Sequence, residues 1–115
     1  MKTGIRVTAM TFLFVSALAA PVLSLAQTAS PSAPVAIFFT GAGNDMAVGQ
    51  STALPNPANC ALHDAADITG TTNGYATFLA TALTAITTGQ NVTIVISNTV
   101  CSNSRPLMIG FNINP

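Results

Sequence analysis

The stretch GYATFLATALTAITTGQNVTIVIS, residues 74–97, constrains the fold more than any other part of the chain. Tyr75, Phe78, Leu79, Ala82, Leu83 and Ile86 recur at helical spacing. They predict a helix over about Gly74–Thr88 with those six side chains on its buried face. Thr77, Thr81, Thr84 and Thr88 fall on the other face. Asn73 is placed to accept hydrogen bonds from the first turn, and Gly89 supplies the left-handed residue that stops the helix. Val92, Ile94 and Ile96 then alternate with Thr93, Val95 and Ser97, which is strand periodicity. A helix that runs directly into a strand must fold back onto a sheet, so this unit defines the core. It defines no chemistry.

The first residues read as an export address. Lys2 and Arg6 form a positive segment, Val7 to Leu18 an apolar one, and Ser24-Leu25-Ala26 offers the small residues a signal peptidase reads. The expectation is a cleaved signal peptide over residues 1–26, with an uncleaved membrane anchor as the competing reading. Cleavage leaves residues 27–115, about 90 residues, enough for one small domain that gains from a covalent staple. Asp45, Asp64, Asp67 and Arg105 are then the only charged residues, for a formal charge of −2. With no lysine and one arginine, the basic footprint that holds phosphates is missing, which argues against nucleic acid as a partner. The polar surface consists instead of Thr, Ser and Asn. Such groups suit assembly interfaces and polyhydroxyl ligands, because little charge has to be desolvated on contact.

In chain order, residues 27–34 (QTASPSAP) are expected to be a disordered or extended leader. Val35–Thr40 reads as a strand, Gly41–Asp45 as turn chemistry, and Met46–Thr52 as the returning strand of a hairpin. Gly49 within it points to a bulge or a close backbone approach. Ala65–Thr69 is a short strand, residues 98–106 a loop, and Leu107–Ile113 alternates cleanly. The order β-β-β-α-β-β predicts an α+β, mainly β fold: a small five-stranded OB-like barrel over residues 35–115, with a two-layer sheet and helix as the alternative.

Few residues could carry catalysis. Cys60 and Cys101 are the two cysteines, and in an exported domain an even count reads as a structural disulfide. His63, Asp64 and Asp67 are the one ionisable cluster; they could bind a metal or orient a base, but read more simply as a loop whose aspartates accept backbone amides. There is no glutamate and no second histidine, so no catalytic residues, metal site or cofactor are assigned. Gly41-Ala42-Gly43 lacks the lysine and following helix of a phosphate loop. Asn91-Val92-Thr93 matches a glycosylation sequon but opens a strand expected to be buried, and reads as chance. With no tryptophan, a sugar-stacking platform would have to use Tyr75 or a phenylalanine, although Tyr75 also suits a packed ring with its hydroxyl at the rim. Arg105 is free to pair with an aspartate, face a partner or remain solvated.

The pattern Y-x-x-F-L-x-x-A-L-x-A-x-x-T-G-Q-x-V-x-I-x-I from Tyr75 to Ile96, then a cysteine, then R-P-x-x-I-G-F-x-I from Arg105 to Ile113, resembles the small exported bacterial proteins related to the subtilase cytotoxin B subunit. The resemblance covers Cys60 to Ile113. It implies an OB-fold, a periplasmic or secreted location and a non-enzymatic binding role. The toxin member of that group is a homopentamer that binds sialylated glycans and carries a separate catalytic subunit, so the resemblance implies a homo-oligomer, a glycan and a catalytic partner as candidate partners. It assigns no ligand-binding residue here. The alternative is a stand-alone periplasmic structural or inhibitory protein that binds another protein.

Overall fold

A computed structural model describes residues 26–42 and 44–115. The expected signal segment, save Ala26, lies outside the described residues, as does Gly43. Six strands and one helix follow in the order β1 (Gln27–Ala29), β2 (Ala33–Thr40), β3 (Asp45–Gln50), β4 (Ala66–Thr69), α1 (Tyr75–Thr88), β5 (Asn91–Ser102) and β6 (Arg105–Asn114). The protein is mostly β, a compact sheet whose hydrogen bonds close into a ring. β2 pairs antiparallel with β3, β3 with β4, and β5 with β6; β4 meets β6 in parallel at Asp67 and Leu107, and β5 returns to β2 at Val92 and Asn91.

The expected leader, residues 27–34, is instead part of the sheet. β1 pairs with β5 from Gln27 opposite Ser97 to Ala29 opposite Val95. Ser30 is buried and fastens the bend that follows: its amide donates to the Ile94 carbonyl at 2.8 Å, and its hydroxyl accepts from the Ile94 amide at 2.9 Å. Across the same bend the buried Gln50 side-chain amide donates to the carbonyls of Pro31 (2.9 Å) and Val92. A backbone that β5 satisfies on its edge has no reason to stay disordered. β1 adds a sixth strand to the five expected.

Met46, Val48, Ile68, Val92, Ile94, Ile96 and Met108 are fully buried and fill the space inside the ring. Their spacing on β3 and β5 is the period of two that puts alternate side chains on one face. Gly49 shows why a residue without a Cβ stands in β3. A Cβ there would lie 2.4 Å from the Asp64 carbonyl oxygen, so the chain before β4 passes directly over it. The facing strand also shifts register between Val35 and Ile37.

The helix keeps the expected span and is corrected in its face. Ala82 and Ala85 are buried, Tyr75, Phe78 and Leu79 half-buried, while Leu83 and Ile86 are exposed at 48% and 43%. Residues 75, 78, 82 and 85 form one stripe; 79, 83 and 86 form another, one residue further round the helix. The alanines of the first stripe pack into the buried cluster, and Leu79 packs beside them, which leaves Leu83 and Ile86 facing solvent. The N-cap is Gly74 at φ 84°, with no side-chain cap, rather than Asn73. Gly89 at φ 68° ends the helix as its residue type predicts.

The expected loop at 98–106 is also corrected: β5 and β6 continue to a tight turn. Ser102 pairs with Arg105, and Asn103 and Ser104 both take positive φ, the conformation of a two-residue hairpin turn. No helix of the described residues is long and apolar enough to cross a membrane.

Candidate functional site

Cys60 and Cys101 form a disulfide with Cα atoms 5.8 Å apart. It joins the loop before β4 to the stem of the β5–β6 hairpin, and Asn56 holds that loop by bonds to the Cys60 amide and carbonyl, both at 2.9 Å. The hairpin tip folds over the same segment through polar contacts. The Leu62 amide donates to the Ser104 carbonyl at 2.8 Å. Arg105 meets the Asp64 carboxylate in two parallel bonds of 2.8 and 3.2 Å, which hold Asp64 below its ordinary value and raise Arg105. Asp67, only 1% exposed, accepts from the Ser102 hydroxyl at 2.8 Å and from the Asn103 amide at 3.0 Å. Burial pushes its carboxyl upward, and the two donors oppose that shift. Asn103 reaches Asp45 as well, at 3.2 Å.

The four charged residues therefore serve one tie between the hairpin tip and the β3–β4 region. Asp64 and Asp67, which the sequence places near His63, are drawn apart: one pairs with Arg105 and the other is buried under Ser102 and Asn103. His63 is exposed on the surface of the loop. Among the described residues no three His, Cys, Asp or Glu side chains gather as a metal site would require.

Two concavities among the described residues are candidate sites. The first, about 460 Å³, is lined by Asn44, Thr69, Gly70, Thr71 and Tyr75. Its walls come from the β2–β3 turn and the link from β4 into α1. These are neighbours because Asp45 pairs with Thr69 in the β3–β4 ladder. Gly70 lets the two turns touch: a Cβ there would lie 2.8 Å from both the Cβ and the carbonyl oxygen of Asn44. The Thr69 hydroxyl hydrogen-bonds those of Thr71 and Thr72 at 2.9 and 3.2 Å, which leaves an orientable cluster of donors and acceptors. Tyr75 packs against the core and also presents itself to this hollow. The second concavity, about 550 Å³, runs between Ile37 and the segment that carries Leu62 and His63, with Ser51 and Thr52 on its rim.

Tyr75 is the one lining residue of the first hollow that sequence reasoning singled out. Asn44, Thr69, Gly70 and Thr71 read as turn residues alone. The available signal was their shared Gly/Asn/Thr chemistry at the start of one predicted strand and the end of another. Asn91 is exposed at the start of β5. No protein-family model, curated protein or solved structure matches the chain.

Proposed function

We propose that the chain is an exported, non-enzymatic binding module of OB-like architecture that recognises polyhydroxyl ligands, glycans in particular, in the hollow beside Tyr75. The architecture is supported by the order of pairings. A three-strand meander β2-β3-β4, a parallel β4–β6 contact, an antiparallel β5–β6 pair and the return of β5 to β2, with the helix between β4 and β5, follow the route of a five-stranded OB barrel. β1 extends β2 along β5.

The observation that carries the functional reading is the lining of the hollow: the chain's single tyrosine beside two threonine hydroxyls and an asparagine amide, with no charged side chain among them. An aromatic face plus neutral hydroxyl and amide groups matches the alternating apolar and hydroxyl surfaces of a sugar ring. The test is a glycan array probed with the mature, disulfide-bonded chain, and light scattering for the homo-oligomer that the toxin resemblance implies. Tyr75→Ala should weaken any hit by about tenfold or more, the scale of one lost aromatic contact. A monodisperse monomer silent on the array would defeat the toxin-like version.

A second reading, a stand-alone protein that binds another protein, is favoured by the groove beside Ile37 and Leu62. Both are large apolar side chains, exposed at 40% and 46%. Capture of one specific partner that Leu62→Asp abolishes would support it.

A further inference from the structure

Given the glycan reading of the Tyr75 hollow, on which this inference rests, we infer that its ligand is a neutral sugar and that acidic sugars are disfavoured. A carboxylated sugar bound in a small hollow needs a cation or a cluster of committed donors to replace the water it loses. Among the described residues Arg105 is the only lysine or arginine, and both arms of its guanidinium fork are already held by Asp64. Among the described residues no lysine or arginine is left unpaired for a ligand.

Negative charge, by contrast, stands beside the hollow. Asp45 follows the lining residue Asn44 in the chain and faces the lining residue Thr69 across the ladder. Its side chain accepts from the neutral Asn103 amide, and the cation whose field reaches it, Arg105, is already paired with Asp64. Asp67 lies two residues before Thr69 on the same strand and is likewise bonded to neutral donors.

One feature pulls the other way. The helix starts at Gly74 without a side-chain cap, and its first-turn amides lie next to Tyr75. Such an end carries about half a positive charge. It favours an acceptor oxygen, which a carboxylate supplies more strongly than a sugar hydroxyl, though a hydroxyl also serves. Two carboxylates outweigh it. Thr69, Thr71 and Asn44 can each donate and accept, so every hydroxyl of a neutral ring can find a partner of either sense.

The experiment compares a matched pair of probes, N-acetyllactosamine and its terminally sialylated form, on the mature disulfide-bonded chain by calorimetry. The neutral probe should bind about two- to fourfold more tightly at low salt, the range set by one or two unit charges about 10 Å away in an aqueous surround. The gap should narrow as salt shortens the screening length, and Asp45→Asn should narrow it without salt. Equal or tighter binding of the sialylated probe would overturn the neutral assignment while leaving the hollow as a glycan site. Binding of neither, with Tyr75→Ala indistinguishable from the parent on the array, would remove the glycan reading and this inference together.

Discussion

Replacing the disulfide tests how the small domain is held together, because most of its effect should lie in the unfolded chain. The useful variant is Cys60→Ala with Cys101→Ser: Cys60 is buried and tolerates an apolar residue, whereas Cys101 is exposed and tolerates a hydroxyl. The bridge closes a loop of sequence separation 41. Loop-closure entropy for that length gives roughly 4 kcal/mol at 25 °C. The folded hairpin tip keeps its other ties in the variant, namely Leu62 to Ser104, Arg105 to Asp64, and Ser102 and Asn103 to Asp67. Little native structure should therefore be lost. For a domain of this size about 4 kcal/mol corresponds to a fall in Tm of roughly 15–30 °C, less if the unbridged chain is already compact. Urea unfolding separates the two origins. A more expanded unfolded state raises the m-value of the variant, while damage to the folded state lowers the midpoint at constant m. A fall of less than about 5 °C with an unchanged m-value would refute the loop-entropy reasoning.

Three further outcomes follow from contacts already described. The Asp67 carboxyl is raised by burial, so the stability it contributes is present when protonated and lost as pH rises through its folded value; Asp64 is lowered by Arg105, so its contribution is lost as pH falls through its own. Thermal melts from pH 7 to pH 3 should pass through a maximum on the acid side of neutrality, and Asp67→Asn should flatten the neutral limb; a monotonic fall on acidification of the parent would contradict this. Gly49→Ala forces a Cβ against the Asp64 carbonyl and should cost about 1–3 kcal/mol in chemical denaturation. On the helix, Leu83→Gln should change stability by no more than about 0.5 kcal/mol, whereas Ala82→Leu should cost about 1–3 kcal/mol, and the reverse ranking would restore the face expected from sequence.

What the sequence discloses is what local periodicity encodes. The helix span, its glycine stop and the alternation of β5 all repeat within one element, and each stands where the pattern puts it; β6 departs from its expected alternation, because Met108 is fully buried and Ile109 is 40% exposed where the register with β5 shifts. The helix face is not legible because periodicity offers two adjoining apolar stripes, 75/78/82/85 and 79/83/86, and cannot say that the first approaches the sheet while Leu83 and Ile86 of the second do not. Ala82 and Ala85 decide that by letting the backbone come close, and a hydrophobicity pattern gives alanine little weight against leucine. β1 is illegible for another reason: Gln27–Ala29 has no strand pattern, and it is held mainly by the backbone edge of β5, with one side-chain bond from Thr28 to Asn98. The candidate site is the least legible part because its residues share no element. Gly70 and Asn44 meet 26 positions apart in the chain through a ladder that aligns Asp45 with Thr69, and Asp67 is buried by donors 35 and 36 residues away. Each of those residues looks like turn chemistry on its own. Only strand pairing turns two turns into one wall, so the chemistry of the hollow depends on register, which composition and spacing do not carry.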